Sequence, residues 1–100
     1  MELLRPLNDA NYPADSDTTG AVAVTLGPWN PGAQGVMVWC TEDAYVLVGE
    51  GVTATTASTP IPAYTPIPFT VPPEVSGPWR VSVLRVSADG TAFAKPINIR

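Results

Sequence analysis

Apolar and polar positions alternate with a period of two in several short stretches. Nowhere does an i, i+3, i+4 apolar stripe run for a helix's length. β-Branched residues fill these stretches, and prolines and glycines separate them, so the pattern predicts strands and turns. Ala21–Leu26 reads as the first strand, with Val22 and Val24 alternating against Ala21, Ala23 and Thr25. Gly27-Pro28-Trp29-Asn30-Pro31-Gly32 reads as a turn. Val36–Cys40 is apolar on both faces, as a central strand is. Thr41-Glu42-Asp43 makes a polar turn into a third strand, Ala44–Val48, predicted to pair with the second as a hairpin.

Gly49–Thr59 is a loop of small residues. Pro60–Val71 carries prolines at 60, 62, 66 and 68. Proline has no N–H to give a ladder, so this stretch reads as an edge strand or a polyproline-like segment, with Phe69 and Val71 in a short strand. Trp79–Val86 is the clearest strand, with Trp79, Val81 and Val83 on one face and Arg80 and Ser82 on the other. Asp89-Gly90 signals a hairpin with Gly90 at positive φ. Thr91–Ala94 is its return strand, and Ile97 and Ile99 extend it or start another.

The fold class that follows is all-β: a single antiparallel β-sandwich or jelly-roll-like barrel of about seven or eight short strands. Residues 1–19 read as an extended N-terminal arm and residues 20–100 as the β-sandwich domain. Asn8–Gly20 is rich in Asn, Asp, Ser, Thr, Pro and Gly. Only Leu3, Leu4, Leu7 and Tyr12 offer apolar anchors for the arm.

Composition narrows the function. The chain has 100 residues, of which 45% are hydrophobic and 14% charged. That charged share is well below the usual quarter, so the surface is built from Ser, Thr, Pro, Gly and apolar atoms, and suits cover by a partner. The net charge is −4, and Arg5, Arg80, Arg85, Lys95 and Arg100 form no basic run, which argues against nucleic acid as a partner. The apolar runs are too short to span a membrane, so no membrane partner is expected. Met1–Pro6 has neither a basic start nor an apolar h-region, which predicts synthesis in the cytoplasm.

The residue types for catalysis are sparse. Histidine is absent and Cys40 is the single cysteine, so neither a disulfide within the chain nor a zinc centre is expected. Cys40 lies in the apolar run Val36–Cys40 and reads as a buried, inert thiol. Asp9, Asp15 and Asp17 lack calcium-loop spacing. Glu42 and Asp43 are adjacent and read as turn acids; Glu50 and Glu74 stand apart from them. No base stands ready to activate a nucleophile, and no Gly-x-Ser-x-Gly elbow occurs. The chain therefore reads as a non-enzyme with no cofactor and no metal.

Aromatic residues are the remaining candidates. Trp39 and Trp79 sit in strands and read as core. Trp29, in its Pro/Gly turn, and Tyr64, among prolines, read as exposed. Tyr12, Trp29 and Tyr64 are accordingly the candidate partner-binding residues, for a protein or a sugar ring.

From Thr41 the features run in a fixed order. Thr41-Glu42-Asp43 leads to a strand ending in Gly49 and then to Thr53-Ala54-Thr55-Thr56. Pro62-Ala63-Tyr64-Thr65-Pro66, Phe69, a valine-rich strand and Asp89-Gly90-Thr91 follow. This order resembles small β-sandwich proteins of the structural gene clusters of tailed bacteriophages, with Tyr64 where those chains carry glycine. The resemblance implies a virion structural protein, most simply a capsid decoration protein that binds the major capsid protein or other virion proteins. By the same analogy it implies a homo-oligomer, a trimer on a capsid. The alternative is a carbohydrate- or receptor-binding module of a tail or head fibre.

Overall fold

Nine strands carry the chain in the computed structural model, which describes residues 4–6, 10, 12–71 and 77–99; those residues contain no helix. They are β1 (Leu4–Pro6), β2 (Asp15–Thr18), β3 (Val24–Trp29), β4 (Gly35–Cys40), β5 (Ala44–Gly49), β6 (Thr59–Ile61), β7 (Ile67–Thr70), β8 (Trp79–Arg85) and β9 (Thr91–Ile99). Leu3, Leu7, Asp9 and Glu74 lie outside the described residues.

The strands form two antiparallel sheets. In the first, β2 and β1 follow one another along one side of the long β9, and β4 and then β7 continue the sheet on the other side. The second has the order β3-β8-β5-β6. From β2 onward the chain changes sheet at every connection except β5 to β6. Strand order β2-β9-β4-β7 over β3-β8-β5-β6 is the double Greek key of an eight-stranded jelly roll, with β1 as an extra short strand. The fold class read from the sequence therefore stands, and the N-terminal arm supplies two strands to the first sheet.

Two hairpins do not form. β4 pairs with β7 and β9, whereas β5 pairs with β6 and β8, so Thr41-Glu42-Asp43 carries the chain from one sheet to the other. β8 and β9 likewise belong to different sheets, and Asp89-Gly90 is part of a crossing. Alternation reports which face of a strand is buried and is silent about its lateral neighbour. Gly90 is also not at positive φ; Gly27, Gly32, Gly49 and Gly51 are. A Cβ on Gly90 would instead lie 2.7 Å from Thr41 Oγ1 and 3.0 Å from Glu42 Cγ. Hydroxyls fix this crossing: Gly90 N–H donates to Thr19 Oγ1 (2.8 Å), and Thr91 N–H donates to Thr41 Oγ1 (2.9 Å).

The first strand is displaced from its predicted place. It runs Val24–Trp29 with a register shift between Leu26 and Trp29, so the sequence Gly27-Pro28-Trp29 lies inside β3. The core sits between the sheets. Val36, Val38 and Cys40 of β4 face Trp79, Val81 and Val83 of β8 with no exposed surface, and Leu26 and Trp29 join them. Each such aliphatic side chain contributes roughly 1.5–3 kcal/mol on burial. Pro96 interrupts nothing: it lies on β9 between the pairing of Ala94 with Asp15 and of Ile97 with Pro6, where the ladder is already broken.

Ser82 faces away from the core yet is buried, because the loop 50–58 folds back over it. Ala54 N–H donates to Ser82 Oγ at 2.8 Å.

Candidate functional site

Period two decides which aromatic side chains are available. Val36, Val38 and Cys40 point into the sandwich, so Met37 and Trp39 point out of the first sheet. Opposite them on β9, Ala92 and Ala94 point in, while Phe93 and Lys95 point out, in the pairs Trp39–Phe93 and Met37–Lys95. The Trp39 and Phe93 rings meet at 5.3 Å between centroids, tilted by 48°. Trp39 is 39% exposed, so the expectation that it belongs to the core is corrected: its neighbours Val38 and Cys40 take the inward positions. Beside the ring pair lies a shallow depression of about 130 Å³ bounded by Ala14, Met37, Trp39, Phe93 and Lys95. Its walls are apolar almost throughout.

Trp29 behaves in the opposite way. It is 3% exposed, stacks on Trp79 at 5.0 Å, and donates its Nε1–H to Pro13 O at 2.7 Å. The expectation of an exposed ring at Trp29 is therefore corrected. β3 continues past the point where Gly27-Pro28 reads as a turn, and its bulge aims the indole inward. Trp79 is fully buried, as its strand pattern requires, with Nε1–H donating to Asn30 O.

Tyr12 is half-buried against the core. Its hydroxyl donates to Pro31 O at 3.1 Å, and its carbonyl accepts from Lys95 Nζ at 2.8 Å. Tyr12 thus ties the arm to the 30–32 loop and steadies Lys95 at the rim of the depression. Tyr64 is 74% exposed and holds φ at 58°, a left-handed conformation rare for a residue with a Cβ. Its N–H donates to Cys40 O, and the neighbouring Ala63 N–H donates to Asp43 Oδ1, so the backbone there is fixed from both sides. The three residues singled out in the sequence do not converge on one spot. The apolar cluster of exposed Trp39 with half-buried Phe93 and Met37 was legible in the alternation of β4 and in no composition rule.

The titratable groups are dispersed. Asp43 caps Ala63, Glu50 accepts from Gly77 N–H, and Asp15 Oδ2 accepts from Gly27 N–H at 2.8 Å. Among the described residues no three His, Cys, Asp or Glu side chains gather into a metal-holding group. Cys40 is buried, and burial pushes its thiol up to about 11. Comparison with protein-family models, with curated proteins and with solved structures returns no match.

Proposed function

We propose that this chain is a non-enzymatic structural module of a phage virion that docks on neighbouring virion proteins through the outer face of its first sheet. The observation that carries this reading is the apolar shelf of Trp39, Phe93 and Met37, exposed on a sandwich whose core is already complete. Aromatic and methionine side chains are the residue types enriched at protein interfaces. Lys95, held at the rim by Tyr12 O, is the one charged residue among the described residues that border the shelf, and the others are apolar. The jelly-roll order adds a fold-level analogy, since viral capsid domains and lectins use it. The major capsid protein is the proposed partner and a homo-oligomer the proposed form.

The test is co-sedimentation of the purified chain with phage heads of its source that lack it. Saturable binding in fixed ratio to the shell protein, lost in Trp39→Ala with folding intact, supports the proposal. No binding to heads or tails removes it.

A second reading rests on the same tryptophan. An exposed indole beside a shallow depression also suits a sugar ring, as in a fibre module. The apolar walls offer few hydrogen-bond partners for sugar hydroxyls, which favours the protein partner. Glycan titration read by tryptophan fluorescence distinguishes the two: a saturable shift lost in Trp39→Ala selects the sugar.

A further inference from the structure

One wall of the depression beside Trp39 comes from outside the two strands that carry the shelf. Met37 and Trp39 belong to β4, and Phe93 and Lys95 to β9, but Ala14 belongs to the arm, one residue before β2. Pro13 and Ala14 are exposed, so apolar burial does little to place them. Hydrogen bonds on both sides of Ala14 place them instead. The Tyr12 hydroxyl donates to Pro31 O at 3.1 Å, and Lys95 Nζ donates to Tyr12 O at 2.8 Å. Trp29 Nε1–H donates to Pro13 O at 2.7 Å, and Gly27 N–H donates to Asp15 Oδ2 at 2.8 Å. Further along, Asp15 Oδ1 caps Ser16 N–H (2.9 Å), Asp17 Oδ1 caps Thr18 N–H (2.8 Å), and Thr19 N–H donates to Gly90 O (2.7 Å).

Three of the four bonds around Ala14 are made to β3 and the loop that follows it. β3 belongs to the second sheet, whereas the shelf lies on the outer face of the first. The wall that Ala14 supplies is thus set from the opposite layer, by groups that do not themselves bound the depression. The fourth bond joins wall to wall, since Lys95 is a rim residue.

We infer that Tyr12, Asp15 and Trp29 are positioning residues for the shelf, and that docking on the shelf and seating of the arm are coupled. The inference rests on the docking role proposed above and adds the arm to the site. A shell protein that closes over the depression meets the arm wall as well as Trp39, so it binds the seated arm more tightly than an unseated one. Linkage is reciprocal: occupancy of the shelf holds the arm down by the same factor by which seating raises affinity.

The experiment compares the native chain with Tyr12→Phe/Asp15→Ala/Trp29→Phe, which removes three tethers, keeps a ring at positions 12 and 29, and alters no residue that bounds the depression. Each lost bond is worth about a factor of five, so seating of the arm should fall by about 100-fold. The signals of the Trp39 indole and the Met37 methyl, followed by nuclear magnetic resonance, report the wall without any partner. Both are expected to shift in the variant while its circular dichroism stays that of the native sandwich. Unmoved signals overturn the inference. Phage heads of the source that lack the chain supply the second readout. Several-fold weaker binding of the variant is expected, together with slower amide exchange over residues 12–19 of the native chain when it docks. Equal affinity for the variant, or native exchange that docking leaves unchanged, overturns the coupling. Heads that bind no native chain overturn the docking reading and the coupling with it, while the shifted signals still identify the residues that position the wall. If the triple variant does not fold, Tyr12→Phe alone should shift the same signals and free the arm by about five-fold.

Discussion

Exchanging the roles of two tryptophans makes a sharp test of the packing. Trp29 is buried against Trp79, and Trp39 stands on an outer face against Phe93. A buried tryptophan removes roughly 150–250 Å² from water, worth about 4–6 kcal/mol at about 25 cal/mol per Å². Substitution of such a ring by alanine costs about 3–5 kcal/mol. The Nε1–H bond to Pro13 O adds little, because Pro13 is exposed and water can take its carbonyl. Trp29→Ala should therefore lower the unfolding free energy by about 3–5 kcal/mol, a large share of the roughly 5–15 kcal/mol of a typical domain. In a chain of this size that is a fall in Tm of about 12–40 °C. Trp39 keeps 39% of its surface in water and its removal leaves no cavity inside the sandwich, so Trp39→Ala should cost less, about 1–3 kcal/mol, or about 4–24 °C. Urea and thermal unfolding followed by circular dichroism measure both. If Trp29→Ala proves too unstable to purify, Trp29→Phe keeps a ring on Trp79 and supplies the comparison. A cost for Trp39 equal to or above that for Trp29 would refute the assignment of inner and outer faces.

Three further outcomes follow. Gly90→Val should destabilise by about 1–3 kcal/mol, the range for overpacking, because the new side chain meets Thr41 and Glu42; thermal unfolding that does not move would show that the crossing yields. At position 64, glycine should be about 1 kcal/mol more stable than alanine, because φ is 58° there; equal stability in urea would mean that the turn relaxes without cost. The Cys40 thiol is held neutral in the fold, with its pKa raised from 9.0 to about 11. The unfolded chain then ionises first, so this group leaves stability untouched below pH 9.0 and lowers it between pH 9.0 and about 11. Cys40→Ala should flatten that part of the pH–stability curve, and native Cys40 should resist thiol reagents at neutral pH.

Fold class was legible because period-two alternation and Pro/Gly punctuation are local properties. β4, β5 and β8 lie within a residue of their predicted bounds for that reason. Lateral order was not legible: the turn at Thr41–Asp43 and the crossing at Asp89-Gly90 look like hairpin loops, and only the second sheet reveals that they change layers. The assignment of Trp29 failed because Gly27-Pro28 has turn chemistry and a bulge absorbs it within β3. Trp39 was recoverable, since Val38 and Cys40 on either side must point the other way. Asp15 and Asp17 read as arm acids because no composition rule distinguishes a solvated carboxylate from one that caps the next amide.

The placement of β9 sets the order in which the chain completes itself. It is the last of the nine strands, yet β2 and β1 pair with it and with no other strand, and β4 has only β7 besides. On a ribosome, the second sheet has all four of its members once residue 85 has emerged. The first sheet has no middle until residues 91–99 follow. β2 and β4 wait unpaired with each other for the whole of synthesis, and most native contacts join segments far apart in sequence. Such a chain cannot complete its first sheet until residues 91–99 are available, and it folds slowly for its size. A nonsense change just before Thr91 would leave three strands of one layer without their common neighbour, and such a fragment would be cleared by proteolysis rather than persist as a smaller working domain.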